Sequence, residues 1–409
     1  MYLLIIHIPV FKDGNRYFTD INWKRDLMLG RDWLARPFGE LVLLSPSLPM
    51  SEVDEKVMSL APIGHVDGIR VVPSFDPRCR TRHFWLKQRK QWMVDLRREI
   101  PLADVVHAGA NNVLQPLGFL AHDVAVKSGV TTVFIGPDMD PHVTQLGVKN
   151  QLLCLAFDYF MRCSVRSADL CLLKEGLVYD RYARFGSNSN VKAFCHSMHS
   201  SVDVIDDLRL KNRLSSLESG RRLRAVYAGR FVARKGLKDA ISAIALAKQQ
   251  GLNIEYHLFG NGPEEEILRR QTEDLGIRDL VRFRGFVEYD SSFLASLAEF
   301  DILLFMPTSE DTPRMLYDAM AAGLPVVGSS IPFLSHRIKT DNNGLLVQVG
   351  DSVAAASNLK RLDSEPGLLE SLSWHAQDAG RRHSIEEWYR KRLEWTQQAV
   401  SQHANAKSG

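Results

Sequence analysis

The sequence predicts an α/β protein of two domains, each a doubly wound parallel sheet with helices on both faces. Three observations predict this class. The chain has 409 residues, more than one ordinary domain needs. Short apolar runs alternate with amphipathic helical patterns, as they do in βαβ units. A polar, serine-containing stretch at 206–222 separates residues 1–205 from residues 223–383, so we assign it to the linker between the domains.

Composition limits the kind of protein this is. Hydrophobic residues make up 45% and charged residues 24% of the chain, and the net charge of +3 is too small to indicate nucleic-acid binding. The five cysteines are odd in number and lack CxxC spacing, so they indicate neither a zinc knuckle nor a disulfide framework. The apolar start, Tyr2–Val10, is too short for a signal peptide or a membrane span, and we expect a cytoplasmic protein.

The first domain opens with a βαβ pattern. Tyr2–Ile8 is predicted to be a strand, and a turn at Asp13–Asn15 follows it. Thr19 or Asp20 can cap an amphipathic helix that continues through Leu34. Leu41–Leu44 is then the second strand.

A basic segment with bulky apolar residues spans 78–98. Such a segment can bind an anionic membrane or the phosphates of an acceptor, but a charged exposed helix explains it as well. Its cations are Arg78, Arg80, Arg82, Lys87, Arg89, Lys90, Arg97 and Arg98, and its bulky residues are Phe84, Trp85, Leu86, Trp92, Met93, Val94 and Leu96.

Two later strands of this domain end beside polar residues. The first, Asp104–His107, ends in a histidine, and the second is Thr131–Ile135. Because the carboxyl ends of parallel strands carry ligand sites, we expect both following loops to open onto the crevice between the domains. Asp138, Asp140 and His142 follow the second strand, and the residues alone do not choose among them.

The second domain reads as a regular series of strands and helices. A glycine-bounded loop, 229–236, separates the first strand from the first helix, and a tight turn, 260–262, follows the second strand. The predicted strands are 225–228, 255–259, 281–287 and 302–306, and the predicted helices are 237–249 and 263–275, with Ser291 or Ser292 capping the helix before Phe300.

One stretch of this domain, Phe300–Val327, combines a buried strand, a loop and a capped helix. Thr312 can cap the helix with Pro313 at its first position, and Gly323 ends it. The loop Thr308–Asp311 therefore lies between the carboxyl end of a strand and the amino end of a helix, where open α/β sheets bind anionic ligands.

Two carboxylates, Glu310 and Asp318, flank that helix start in a Glu-x7-Asp spacing, followed by Ala-Met-Ala-x-Gly-x-Pro-Val-Val. This pattern resembles the Glu-x7-Glu signature of the retaining GT-B glycosyltransferases of group 1 (family 4-like), with Asp in place of the second Glu. The resemblance implies that Glu310 holds the hydroxyls of a donor sugar and that Asp318 contacts the nucleotide ribose. Alternatively, Asp318 only pairs with Arg314, four residues earlier.

The resemblance also implies the rest of a donor site, without metal or cofactor. Arg230 and Lys235 resemble the basic pair that meets a donor diphosphate. Many relatives carry a histidine near the reacting sugar directly after the strand Thr131–Ile135, where this chain has Gly136 and Pro137. His107 matches a family position better. A terminal helix, 384–403, is expected to pack back on the first domain. The implied donor-binding residues are Gly229, Gly260, Asn261, Gly262, Val287, Glu310, Asp311, Thr312, Pro313, Arg314 and Asp318, and the acceptor or cleft candidates are Gly14, Asn15, Asp138, Asp140 and His142. His196 and His199 lack an evident third metal ligand.

The function implied is metal-independent transfer of a sugar, with retained configuration, from a UDP- or GDP-linked donor to an acceptor hydroxyl. The acceptor would be a glycan, a lipid-linked sugar or a small hydroxyl compound in polysaccharide or glycoconjugate biosynthesis, with the protein in the cytoplasm or at the inner face of the membrane. The alternatives are a nucleotide-sugar 2-epimerase of the same fold and a non-catalytic protein that binds nucleotide sugars.

Overall fold

The computed structural model describes residues 1–53, 60–137, 142, 148–187, 189–195, 197–218, 221–309 and 313–408. The chain forms two compact units, one of residues Met1–Phe194 with Tyr389–Gly409 and one of residues Cys195–Trp388. Each unit contains a parallel sheet, which confirms the predicted fold class.

The strands of the first unit form two sheets. Seven strands make a parallel sheet in the order β11-β10-β9-β8-β1-β4-β7, and four short strands make a second sheet in the order β5-β2-β3-β6. In chain order they are β1 (Tyr2–Ile5), β2 (Val10–Asp13), β3 (Arg16–Asp20), β4 (Leu41–Ser45), β5 (Ser47–Pro49), β6 (Leu60–Ile63), β7 (Ile69–Pro73), β8 (Val105–Gly109), β9 (Thr131–Ile135), β10 (Leu170–Lys174) and β11 (Val191–Phe194).

The helices of this unit cover the larger sheet. From β7 the chain passes through β8, β9, β10 and β11, always stepping in the same direction along the sheet. Since such crossovers are right-handed, the helices that connect these strands share one face. The helices are α1 (Ile21–Leu29), α2 (Arg89–Glu99), α3 (Leu117–Lys127), α4 (Val148–Ser167) and α5 (Leu177–Tyr182).

A hairpin corrects the predicted opening of the chain. Strand β1 ends at Ile5, not Ile8, and β2 and β3 pair antiparallel before α1 begins. Phe11 lies opposite Phe18 across the hairpin, and Gly14 takes a left-handed φ of 57° in its turn. The alternating apolar residues of 10–20 therefore form strands, and the helix starts only at Ile21.

The second unit holds a six-stranded parallel sheet in the order β14-β13-β12-β15-β16-β17. Its core is formed by the buried apolar faces of these strands and of the helices around them. The strands are β12 (Leu223–Ala228), β13 (Ile254–Phe259), β14 (Val281–Gly285), β15 (Ile302–Phe305), β16 (Val326–Ser329) and β17 (Gly344–Val347).

The first helix of the second unit lies in the stretch that was predicted to be a linker. The stretch 206–222 belongs to the second unit, and most of it is helical because its apolar side is buried, with Leu210 fully covered. The chain enters this unit between Phe194 and Cys195. The helices are α6 (Asp207–Glu218), α7 (Leu237–Gln249), α8 (Glu265–Asp274), α9 (Ser291–Leu297), α10 (Arg314–Ala321), α11 (Pro332–Asp341), α12 (Ser352–Ser364), α13 (Pro366–Arg382) and α14 (Ile385–Ser408).

The terminal helix α14 contributes its residues from Tyr389 onward to the first unit. Near its end, the Nδ1 atom of His403 lies 2.8 Å from a carboxylate oxygen of Asp169, and its Nε2 atom lies 3.0 Å from the carbonyl oxygen of Gly129. Among the described helices, α14 included, none has both the length and the apolar content that a membrane span requires.

Candidate functional site

The six-stranded sheet of the second unit reverses its winding direction between β12 and β15. These strands are neighbours, but the chain continues from β12 toward β14 and from β15 toward β17. In open α/β sheets, ligands bind outside the carboxyl ends of the strands at such a reversal. The loop after β12, 229–236, and the loop that starts at Met306 both lie there.

These two loops are fixed to each other by backbone contacts. The backbone N–H of Thr308 donates to the carbonyl oxygen of Arg234 at 3.0 Å. Gly236 has a φ of 65°, and a Cβ atom at this position would lie 1.5 Å from the carbonyl oxygen of Met306. Only glycine fits there, so the loop that carries the predicted cations is held directly against the end of β15.

Arg230 and Lys235 are the two predicted diphosphate-binding cations of this loop, which also carries Arg234. The ammonium of half-buried Lys235 lies 5.6 Å from the ring centroid of Phe305, the last residue of β15. Arg230 is exposed, and its carbonyl oxygen accepts a hydrogen bond from the Tyr227 hydroxyl at 3.3 Å. The Tyr227 ring stacks on Phe305 with 5.7 Å between centroids. An aromatic pair at the strand ends thus supports a loop with three positively charged side chains.

The glycines after β13 serve contact between loops. A Cβ atom on Gly260, whose φ is 126°, would lie 2.0 Å from the carbonyl oxygen of Gly229, and one on Gly262 would lie 2.3 Å from that of Phe231. The backbone N–H of Phe231 also donates to the carbonyl oxygen of Asn261 at 2.8 Å. The tight turn predicted here therefore packs against the cationic loop, and the close approach that its glycines permit is to protein backbone.

The helix of the Glu-x7-Asp motif is α10. Pro313 precedes it in an extended conformation, Arg314 is its exposed first residue, and Asp318 is only 3% exposed. Burial raises the pKa of Asp318 to about 7, while a hydrogen bond from Tyr289 and the charge of Arg314 oppose the rise. The Tyr289 hydroxyl lies 2.8 Å from Oδ1 of Asp318. Sequence reasoning missed Tyr289, whose only signal was its place in the loop after a strand end.

That loop also carries Val287, one of the residues expected to bind the donor. Strand β14 ends at Gly285, which has a φ of 75°, so the predicted strand 281–287 is two residues too long. Phe286 is 67% exposed and Val287 is 39% exposed. An exposed aromatic ring therefore stands beside Val287, at the carboxyl end of the sheet.

In the first unit, the structure gives His107 a packing position. It lies inside β8, which extends to Gly109, and its side chain is only 6% exposed. Its Nδ1 atom is 3.0 Å from the Tyr2 hydroxyl, and burial lowers its pKa to about 3. The sequence placed this histidine at a strand end because the following Ala-Gly was assigned to a loop. The structure therefore places His107 in the core of the first unit, and its catalytic role stays a prediction.

His142 is the described candidate from the loop after β9. Its Nε2 atom donates to Oδ1 of Asp158 at 3.1 Å, and the Tyr182 hydroxyl donates to the same oxygen at 2.6 Å. This forms a histidine–carboxylate pair, an arrangement that fixes the ring orientation. Gly14 and Asn15 form the exposed turn of the β2–β3 hairpin.

Several predicted residues lie outside the described part of the chain, namely Glu310, Asp311, Thr312, Asp138, Asp140 and His196. His199 is buried and donates from Nε2 to the carbonyl oxygen of Gly380 at 2.8 Å. Within the described ranges, no three His, Cys, Asp or Glu side chains are grouped as metal ligands.

The basic segment divides into a buried and an exposed side. A helical turn, Thr81–His83, and a π-helical turn, Phe84–Gln88, lead into α2. Phe84, Trp92 and Leu96 are fully buried in the core, so packing explains three of the seven bulky residues. The exposed side includes Trp85, Leu86, Lys87, Lys90, Val94 and Arg97.

Comparisons with known proteins find one family and one fold. Residues 209–378 match the family model described as "Glycosyl transferases group 1". A lipopolysaccharide core biosynthesis glycosyltransferase of Rhizobium meliloti is 33% identical over 148 residues, which cover 36% of this chain and 41% of that protein. The match thus spans about two fifths of the length of that curated relative.

Solved structures match over nearly the whole chain. The Alr3699/HepE protein of Anabaena, crystallised with UDP, is 14% identical, with a TM-score of 0.66. The match covers 97% of this chain and 99% of that one. WaaG, a glycosyltransferase of lipopolysaccharide biosynthesis, is also 14% identical, with a TM-score of 0.59 and coverage of 96% of this chain and 99% of that one. This likeness shows the fold, which is of the GT-B type.

Proposed function

We propose that the protein transfers a sugar from a nucleoside-diphosphate donor to an acceptor hydroxyl, because residues 209–378 match the family model of the group 1 glycosyltransferases. One observation carries the proposal. The loop with Arg230 and Lys235 is fixed against the start of the Glu-x7-Asp loop, at the point where the sheet reverses its winding. Transfer from a nucleoside-diphosphate sugar needs cations beside the diphosphate and a carboxylate beside the sugar, and these two loops carry both.

The two cations act on the departing diphosphate. As the bond between the anomeric carbon and the phosphate oxygen breaks, negative charge grows on the diphosphate. Arg230 supplies a planar fork of donors and Lys235 a compact charge, and both belong to a loop whose backbone is fixed by hydrogen bonds. Fixed charges of this kind lower the barrier without reorganising, so the proposed reaction needs no metal ion.

The carboxylates hold the rest of the donor. Glu310 orients the hydroxyls of the sugar. For Asp318 we propose a different role from the one implied by the family motif, because its side chain is buried and bonded to Tyr289. We assign it to positioning the loop after β14, so that Phe286 and Val287 receive the base.

The stereochemistry proposed is retention. The acceptor oxygen attacks the anomeric carbon on the face from which the diphosphate leaves, and its proton passes to the departing phosphate oxygen. The donor proposed first is a UDP-sugar, because the Anabaena neighbour was crystallised with UDP. GDP-sugars are the second choice.

The acceptor is proposed to be a growing glycan or a lipid-linked sugar of a surface polysaccharide. The names of the relatives, which refer to lipopolysaccharide synthesis, support this class. His142, held by Asp158, is the candidate contact to the acceptor hydroxyl in the first unit. The exposed side of the segment 78–98, with Trp85, Leu86 and Lys90, is the proposed peripheral contact with an anionic membrane.

One experiment separates the proposal from its alternatives. The protein is incubated with radiolabelled UDP- and GDP-sugars, with and without short polysaccharide acceptors, and the products are resolved by chromatography and NMR. Release of diphosphate together with an acceptor product of unchanged anomeric configuration supports transfer. An isomerised donor indicates a 2-epimerase, and tight binding without turnover indicates a non-catalytic protein. Activity that disappears with a chelator contradicts metal independence.

A further inference from the structure

Three arginines of the first unit converge on one aromatic ring. The guanidinium carbons of Arg162, Arg166 and Arg184 lie 4.8, 5.7 and 5.0 Å from the ring centroid of Phe185. All three side chains are exposed, and within the described part of the chain none of them forms an ion pair. Like charges at this spacing repel one another, so the cluster is stabilised by any anion that it binds.

The helix that carries two of these arginines also exposes an apolar stripe. On α4, Leu152, Leu155 and Tyr159 are 65%, 62% and 66% exposed. At 3.6 residues per turn, these positions lie on the same side of the helix as Arg162 and Arg166. The exposed described positions of α4 hold no carboxylate, because Asp158 points inward and is buried.

We propose that this face of the first unit, defined by the apolar stripe of α4 and the arginines around Phe185, docks on an anionic lipid surface. The stripe enters the boundary between headgroups and acyl chains, and the arginines pair with lipid phosphates. A soluble anion would satisfy the arginines alone and leave the stripe in water. The combination of unpaired cations with exposed apolar side chains fits a lipid surface.

The position of the face in the fold supports this reading. Helices α2, α3 and α4 lie on one face of the seven-stranded sheet, with α3 packed against both α2 and α4. The exposed side of α2, with Lys90 and Val94, therefore belongs to the same outer layer, and exposed Trp85 lies in the turn that leads into α2. The proposal assigns a contact to the whole layer, and it does not depend on the donor chemistry of the second unit.

Vesicle sedimentation tests the proposal with the full-length protein. The wild type is expected to bind vesicles of phosphatidylglycerol and phosphatidylcholine, and to bind pure phosphatidylcholine far more weakly. The triple variant Arg162→Gln, Arg166→Gln, Arg184→Gln is expected to partition on the order of a hundredfold less onto the anionic vesicles, from about 1 kcal/mol for each cation near the surface. Leu152→Ser with Leu155→Ser should lower binding while leaving the charge unchanged.

The control has the same change in charge at a different place. Arg270→Gln, Arg278→Gln and Arg361→Gln remove three exposed, ion-paired arginines of the second unit and should leave vesicle binding nearly unchanged. Equal loss in this control, retention of binding in the first triple variant, or absence of wild-type binding would overturn the proposal. The proposal would also be overturned if soluble polyphosphate displaced the vesicles and bound the Leu152→Ser, Leu155→Ser variant as well as it bound the wild type. Circular dichroism and turnover of the donor in vesicle-free buffer, measured for every variant, separate a folding or catalytic defect from a docking defect.

Discussion

The Tyr289 hydroxyl donates a hydrogen bond to Oδ1 of Asp318 across 2.8 Å, joining two segments that are 29 positions apart in the chain. Tyr289 follows β14, and Asp318 lies on the helix that follows β15. Burial makes the carboxylate of Asp318 costly, and the hydroxyl offsets part of that cost. The bond therefore couples the ionisation of a buried acid to the position of the loop that carries Phe286 and Val287.

Replacing Tyr289 with Phe should loosen that loop and raise the pKa of Asp318 above its value of about 7, because a donor to the charged form is lost. Loss of a hydrogen bond to a charged group costs about 1.5–3 kcal/mol, so we expect about a tenfold rise in the donor KM and a smaller change in kcat. Steady-state kinetics between pH 6 and pH 9 would measure both. Tyr159→Phe, which removes an exposed hydroxyl, is the control; equal KM values for all three proteins would contradict the positioning role.

The buried acid also predicts how stability depends on pH. The pKa of Asp318 is about 7 in the folded protein, against 3.8 for an ordinary exposed aspartate, so folding favours the protonated form. The contribution of this group is fully present below pH 3.8 and is lost as the pH rises through about 7, by on the order of 4 kcal/mol at 1.36 kcal/mol per pKa unit. Asp318→Asn cannot ionise. The variant should therefore gain stability relative to the wild type as the pH rises from 4 to 8.

Urea unfolding of both proteins at unit intervals of pH gives the difference directly. Tyr289 can still donate to the amide oxygen of the Asn variant, so the neutral site keeps its hydrogen bond. A difference in unfolding free energy that stays constant from pH 4 to pH 8 would show that Asp318 titrates near its ordinary value.

Gly236 is predicted to be essential for the contact between the cationic loop and the end of β15. A methyl group there would lie 1.5 Å from the carbonyl oxygen of Met306, in addition to the cost of a left-handed φ of 65°. Gly276→Ala is a close control, since its φ is 61° and nothing lies within 4 Å of the added Cβ. The control should lose about 1–2 kcal/mol of unfolding free energy. Gly236→Ala should lose more and should also lose donor turnover; equal effects would remove the packing argument.

Lys235→Ala and Glu310→Ala are each expected to lower turnover by about 10² or more, as removal of one preorganised electrostatic group does. Lys238→Ala is the matched control, because this exposed lysine lies on the neighbouring helix and pairs with Glu264. Single-turnover rates with a radiolabelled UDP-sugar would measure the three. A near-normal rate for Lys235→Ala refutes its assignment to the departing diphosphate.

Elements with strong periodicity were predicted to the residue, as β9 at 131–135 and α7 at 237–249 show. The residue that caps a helix was harder to predict. Asp290, not Ser291 or Ser292, caps α9 by accepting a hydrogen bond from the backbone N–H of Phe293 at 2.8 Å. The bond between Tyr289 and Asp318 had no sequence signal. It exists only because two loops meet at one edge of the sheet, and their meeting depends on the order of the strands.

Arg213 shows why the stretch predicted as a linker is part of the second unit. Its buried guanidinium donates to the carbonyl oxygens of Ala322 and Gly323 at 2.8 and 2.6 Å, just past the end of α10. These carbonyls have no later turn of helix to bind them, and a cation suits the negative end of the helix. Arg213→Gln should therefore cost about 2–4 kcal/mol of unfolding free energy, by leaving buried acceptors unpaired. Exposed Lys211 lies on the same helix, so Lys211→Gln should change stability by less than about 0.5 kcal/mol. Urea unfolding followed by circular dichroism compares the two variants. If the two variants unfolded with equal free energy, α6 would be only a connection, and the end of α10 would be stable without the hydrogen bonds from Arg213.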